Sequence, residues 1–346
     1  MNKRLFLLLA LLSIAPQWAM AQLGGTRAFE YLNLPSNARL SALGGINLTS
    51  GWGDAAQAIY NPAFLDKEMH NRLVVSRLGY FSDIANTSVS YVRTFEKYGT
   101  WSLNVGYLNY GEVESYDEDG FLNGDFKVHE YVVSIGNSQQ FGPFSVGGNL
   151  KVAASDLASY QASALLLDLG GTFKHPERDF TVGFLVRNLG FLMSDYLDGN
   201  NSQLPLDVQL GLSYKPEFMP FRFSLAARNL NRADVVYYDA SSNTILGDED
   251  NEPGFSEELF RRLVFGAELL LSPNFQARFG YNHLIRQELK NQNGVNGGAG
   301  FSFGFMFRTK RFEFAFSRAL YHAAGGSNTL QINMDLNGLI KKKTND

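Results

Sequence analysis

The sequence predicts an all-β fold, a transmembrane outer-membrane β-barrel of about fourteen antiparallel strands with an N-terminal hatch plugging its lumen. Three observations predict it. Short segments alternate apolar and small or polar residues, as in FSFGFMF at 301–307 and RFEFAFS at 311–317. The chain opens with an export signal. The connections between the alternating segments are themselves alternately short and long.

Period two is the mark of a strand, because successive side chains leave it on opposite faces. Phe303 and Phe305 therefore share one face and Ser302 and Gly304 the other. Segments of this kind fall at 72–80, 86–94, 100–110, 128–137, 144–157, 163–174, 180–187, 207–215, 221–228, 263–271, 275–282, 297–307, 312–318 and 327–336. In the last, Leu330, Ile332 and Met334 oppose Gln331, Asn333 and Asp335. The connections 95–99, 138–143, 175–179, 216–220, 272–274 and 308–311 are short. Between them lie the long 111–127, 188–206 and 229–262 and the medium 283–296 and 319–326, with only 81–85 and 158–162 short on that side. A barrel with short periplasmic turns and longer outer loops has this parity. The phenyl rings then face lipid, and Ser, Gly, Ala and Asn face the lumen.

Composition agrees. The 346 residues include 28 Phe, 16 Tyr and 34 Gly, no Cys, and only 18% charged residues. Aromatic content excludes a disordered chain, and no apolar run is long enough for a transmembrane helix. The net charge of −4 and the lack of a basic, aromatic-interleaved patch exclude a nucleic-acid partner. Without cysteine there is no disulfide, Cys-ligated zinc, Fe–S cluster or lipoprotein anchor, and no cofactor is expected. MNKR, the apolar run Leu5 to Ile14 and Ala19-Met20-Ala21 form a signal peptide over 1–21. The domain plan is thus signal peptide 1–21, hatch 22–70, barrel 71–338 and a basic periplasmic tail at 339–346.

The hatch reads unlike the strands. YLNLPSNARLSALGGINLTSGWGDAAQAIYNPAFL is rich in Gly, Ala and Asn, and its one helix-like run, Asp54 to Tyr60, is capped by Asp54. Asn61-Pro62 is a sharp turn. Ala38-Arg39, Ala42-Leu43-Gly44-Gly45, Asp54 and Asn61-Pro62-Ala63 resemble the hatch of the FadL-like family of outer-membrane barrels. Asn188-Leu189-Gly190 followed by LPLDVQLGLSYKP resembles a second pattern of that family, with Asn229-Leu230-Asn231 as a weaker repeat. Within it the chain is similar to the PorV-related barrels of type IX secretion systems.

That resemblance implies a membrane-embedded anchor in the attachment complex, set among outer-membrane lipids and lipopolysaccharide. The surface protein PorZ would be its partner, with PorU and PorV in the same complex. Tyr237, Tyr238, Phe255 and Phe260, aromatic residues in a polar outer loop, are the expected partner contacts. The alternative is a FadL-like transporter of a small hydrophobic molecule. Two features depart from the family: the chain ends DLNGLIKKKTND rather than on an aromatic strand, and its hatch is short. Enzymatic chemistry is not expected, since His70, His129, His175, His283 and His322 share no motif spacing with a nucleophile and a carboxylate. The acidic stretches 112–125 and 247–258 could bind calcium, with Asp248, Asp250 and Glu252 alternating as ligands would, but their glycine and glutamate positions do not match a calcium loop and they read as solvated loops; no metal site is expected.

Overall fold

Fourteen antiparallel strands close on themselves, each bonded to its chain neighbours and β1 to β14. They are β1 Arg72–Gly79, β2 Ala85–Phe95, β3 Gly99–Tyr116, β4 Leu122–Phe141, β5 Phe144–Leu157, β6 Tyr160–Lys174, β7 Phe180–Ser194, β8 Asp207–Tyr214, β9 Phe221–Ala227, β10 Leu263–Ser272, β11 Phe275–Asn282, β12 Phe301–Arg308, β13 Phe312–His322 and β14 Gly325–Asp335. The computed structural model describes residues 27–81, 83–116, 119–197, 199, 201–232, 255–289, 297–322 and 325–337. The signal peptide, Tyr237, Tyr238 and the tail 339–346 lie outside them.

The alternation seen in the sequence is the barrel's two surfaces. Along β12 the phenyl rings of Phe301, Phe303, Phe305 and Phe307 are exposed, while Ser302 and Met306 are buried. In β13 Phe312 and Phe314 point out and Glu313, Ala315 and Ser317 in. In β14 Leu330 and Ile332 point out and Gln331 and Asn333 in. Closure leaves no open ladder edge at the β1–β14 seam, where Arg72 through Gly79 register against Asp335 through Asn328. A closed ladder is what hydrocarbon demands, because each unpaired backbone group there would cost several kcal/mol. No helix among the described residues is long and apolar enough to cross a membrane; the crossing is made by strands. An aromatic outer belt on a closed fourteen-stranded antiparallel barrel is the architecture of a protein of the Gram-negative outer membrane.

Connections at one end are the short 96–98, 142–143, 175–179, 215–220, 273–274 and 309–311. At the other end two of the expected loops are largely strand and a third is strand over its first part. β3 and β4 run on to Tyr116 and from Leu122, so 111–127 is a long twisted hairpin with bulges near Glu112 and Tyr116. β7 continues to Ser194, and β13 and β14 absorb most of 319–326. In the extensions of β3 and β4 the residues are mostly polar, so the apolar alternation that marks a strand lapses there while the ladder continues; in β7 it persists at Leu189, Phe191 and Met193. Two short helices stand at this rim, α2 Phe255–Arg262 and α3 His283–Glu288. The first helix, α1 Ala38–Ala42, lies in the segment before β1 and has Asn37 as its N-cap; the sequence reading did not anticipate it.

Candidate functional site

Residues 27–70 are bound along the inward face of the wall, and the contacts come from all round the barrel. Ser88 on β2 donates to the Ser36 carbonyl (2.7 Å), Ser138 on β4 to that of Leu65 (2.8 Å) and Ser145 on β5 to that of Ala63 (2.6 Å). Asn149 on β5 reaches the Ala58 carbonyl, Arg187 on β7 that of Leu32, and Ser302 on β12 that of Ala42. From β14, Gln331 accepts the Ala38 N–H and Thr329 bonds with Ser41. An irregular segment has no ladder of its own, so these side chains meet the requirement that buried backbone groups be paired.

The residues of the sequence motif shape this segment. Gly44 and Gly45 have φ of 81° and 92°, the left-handed region where glycine is favoured. They turn the chain after α1 so that the Gly44 N–H meets Ser302 Oγ (3.1 Å) and its carbonyl accepts from Asn282 Nδ2 (2.9 Å). Asp54 caps a 3-10 turn over Ala55–Ile59 by accepting the Ala56 N–H. Asn61 does the same for the turn Pro62–Phe64, with Pro62 in its first position, where a missing N–H costs nothing. Asn61 and Ala63 are fully buried.

The wall gives way where the segment presses on it. A Cβ added to Gly147 would stand 2.6 Å from the Pro62 carbonyl carbon, and one on Gly170 2.1 Å from Asn61 Oδ1. On Gly183 it would meet the Leu48 carbonyl oxygen at 2.2 Å, and on Gly280 the Gly44 nitrogen at 2.4 Å. These inward glycines are shaped to the N-terminal segment, as are the small residues around them.

Charge fastens the two parts. Arg39 Nε lies 3.0 Å from Asp54, and its Nη1 lies 2.7 Å from Glu268 on β10; all three are buried. Arg278 and Arg222 also reach Glu268, at 3.3 and 3.4 Å. Buried charges persist only when paired in this way. A second buried pair, Lys151–Asp168 at 2.6 Å, belongs to the wall itself. Tyr60 donates to Gln209 (2.6 Å) beneath the Arg187 guanidinium, 4.4 Å above its ring. Burial holds the Tyr60 hydroxyl up at about 12, so it remains a donor. The sequence reading missed Arg39–Glu268 and Lys151–Asp168. Its available signal was a lone charge at an inward position of an apolar strand, as Glu268 is in LVFGAELLL.

The two Asn-Leu repeats share one device. Asn188 and Asn229 both adopt positive φ, and their N–H groups donate to Asp168 (2.8 Å) and Asp207 (2.7 Å). At Asn188 the wall opens. β7 continues upward while β8 begins only at Asp207, and a groove of about 560 Å³ runs between 188–195 and 201–206, with Leu189, Phe191 and Met193 exposed. A smaller cavity of about 160 Å³ lies between the N-terminal segment and the wall, lined among others by Glu30, Ser41, Tyr80, Arg228 and Tyr321.

The histidines are structural where their contacts are visible. His70 accepts the Thr94 N–H, His129 bonds with Tyr107, and His175 accepts the Glu177 N–H. Among the described residues no cluster of His, Cys, Asp and Glu could hold a metal ion. Phe255 and Phe260 lie on α2 at the rim, exposed, and apart from the motif residues in the lumen.

The barrel fold recurs among solved structures. The TodX monoaromatic hydrocarbon channel (deltaS2 mutant) superposes with a TM-score of 0.50 at 12% identity, over 87% of this chain and 97% of that one. The likeness is one of fold. The Ralstonia pickettii toluene transporter TbuX (TM-score 0.49, 13% identity, 87% and 98% covered) and a Pseudomonas aeruginosa FadL homologue (0.43, 9%, 87% and 98%) align over similar spans. No protein-family model and no curated protein sequence matches the chain.

Proposed function

We propose that this chain is a plugged barrel that serves as a membrane-embedded anchor in a type IX secretion attachment complex. Its role would be PorQ-like, holding a PorZ-like surface protein in a complex that also contains PorU and PorV. The observation that carries this reading is the way the lumen is filled. The motif residues Gly44, Gly45, Asp54, Asn61, Pro62 and Ala63 are the ones that fold the N-terminal segment against a wall carved to receive it. The cavity left beside it, about 160 Å³, is smaller than the ~300–1,000 Å³ of ordinary ligand pockets. A sealed barrel suits an anchor. The hatch motif and the GFSFGFMFRTKRFEFAFS hairpin resemble PorQ in sequence.

The second reading is a FadL-like carrier of a small hydrophobic molecule. The likeness to TodX, named as a monoaromatic hydrocarbon channel, supports it more than the first, although a fold by itself does not assign function. The groove beside Leu189, Phe191 and Met193, where β7 outruns β8, is the opening such a route would use.

Affinity purification of the tagged chain from native outer membranes separates the two. The anchor reading expects a surface protein in near-stoichiometric yield and no uptake of a monoaromatic hydrocarbon by liposomes carrying the chain. Uptake without a co-purifying protein would overturn it in favour of transport.

A further inference from the structure

Helix α2 wears its apolar residues on the outside. On a helix, residues three or four apart share a face. The helical period of 3.6 residues places Phe255, Leu259 and Phe260 within one arc of the helix and Glu257, Glu258, Arg261 and Arg262 within the opposite one. The apolar side is the exposed one, at 82% for Phe255, 46% for Leu259 and 49% for Phe260. The arginines of the charged side are the less exposed, and Arg262 is turned to the protein. Arg261 lies 2.7 Å from Glu257, Arg262 pairs with Glu258, and Arg262 Nη1 donates to the carbonyls of Asn229 and Arg232 (2.7 Å each). A helix on a water-soluble surface is built the opposite way.

This apolar side joins the lipid-facing belt without a break. The Phe260 ring is 6.1 Å from that of His283, and His283 is 6.0 Å from Tyr281, whose hydroxyl bonds with His283 Nδ1 (2.9 Å). Tyr281 packs 4.9 Å from Phe301 and 6.4 Å from Phe265. Phe301 and Phe265 belong to the outward rows of β12 and β10. A tyrosine at the top of an apolar row, its hydroxyl bonded to a histidine, is the amphipathic ring that sits at headgroup level.

We propose that α2 is an interfacial helix whose Phe255–Leu259–Phe260 face is seated at the headgroup–acyl boundary of the outer leaflet. The occupant is lipid because the face prolongs a surface already in lipid. A protein lying on it would also have to displace lipid from Tyr281 and Phe301. The sequence reading assigned Phe255 and Phe260 to a protein partner; their geometry points to the membrane. The inference needs only a barrel in a bilayer and is independent of the anchor reading.

The test is depth-dependent quenching. The Phe255→Trp variant, in a Trp101→Phe background, is reconstituted into phosphatidylcholine vesicles brominated either high or low on the acyl chain. Interfacial seating predicts blue-shifted emission and about twofold quenching relative to the Trp101→Phe parent, stronger with the shallow bromines. Phe260→Trp in the same background, expected to behave alike, serves if the first variant does not fold. Water-like emission with no quenching beyond the parent would overturn the proposal and leave the face free for a protein.

Discussion

Ser302 and Phe303 are adjacent on β12, yet they answer to different neighbours. Phe303 meets lipid, a fluid that accepts any apolar shape; burying its ring there gains roughly 1.5–3 kcal/mol relative to water. Ser302 meets one particular piece of chain, accepting the Gly44 N–H and donating to the Ala42 carbonyl. The outer surface is therefore constrained in kind and the inner surface in detail. Substitution separates the two constraints.

The largest effect expected is on conduction. Deleting residues 24–66 removes the segment that binds the inward faces of β2, β4, β5, β7, β8, β10, β11, β12 and β14. In planar bilayers the intact chain is expected to pass little steady current and the deleted one to form an open pore. Large conductance from the intact chain would mean that residues 27–70 do not seal the lumen.

Next is Arg39→Ala, which strips Asp54 of its ion pair and removes one of three arginines from Glu268. Removing one partner of a buried pair costs on the order of 3–5 kcal/mol. The expected readout is protease cleavage within 27–70 at concentrations that leave the wild type intact. Arg39→Lys should recover only part of the loss, because one ammonium cannot bridge Asp54 and Glu268 as a guanidinium does. Wild-type resistance in Arg39→Ala would show that the charges do not hold the segment.

On the outer surface, Phe303→Arg should cost roughly 2–4 kcal/mol near the bilayer midplane. Ser302→Ala should cost about 1–3 kcal/mol by leaving two buried backbone groups unpaired. Urea unfolding in lipid vesicles measures both. The outer cost should vanish in a detergent that lets the introduced guanidinium reach water, while the inner cost persists. Equal behaviour of the two variants in both media would mean that the faces do not divide as drawn.

How much of this was legible in the sequence follows the same division. Lipid imposes an average property at every second residue, so the strands from β1 to β14 could be placed from period two alone, most within a few residues. Legibility failed at strand ends. β3 and β4 run on through mostly polar residues that read as loops, since nothing there enforces alternation, and in β7 the Asn188-Leu189-Gly190 turn signal hid the alternation of Leu189, Phe191 and Met193. In the lumen, Asp54 and Asn61 could be picked out by their cap and turn chemistry, and Gly44 and Gly45 by the resemblance to the FadL-like hatch. Their partners could not. Whether an inward serine bonds to Ala63 or an inward glutamate to Arg39 depends on which residues of a distant segment face it, and periodicity does not contain that.

The smallest effect is the most discriminating, and it concerns glycine. Gly183 on β7 faces inward with the Leu48 carbonyl against it, whereas Gly171 on β6 has nothing within 4 Å of an added Cβ. A methyl group on either relieves the entropic penalty that glycine carries in a strand. At Gly171 the net change should fall within about ±0.5 kcal/mol. At Gly183 the methyl overpacks the contact with Leu48, at a cost of roughly 1–3 kcal/mol. Overpacking belongs to the pair of surfaces, not to the strand. Gly183→Ala should thus lose its cost when residues 24–66 are deleted, a coupling that a double-mutant cycle isolates. If Gly183→Ala destabilises the deleted barrel as much as the intact one, the methyl clashes within the wall. The inward glycines would then have a reason other than the segment they face.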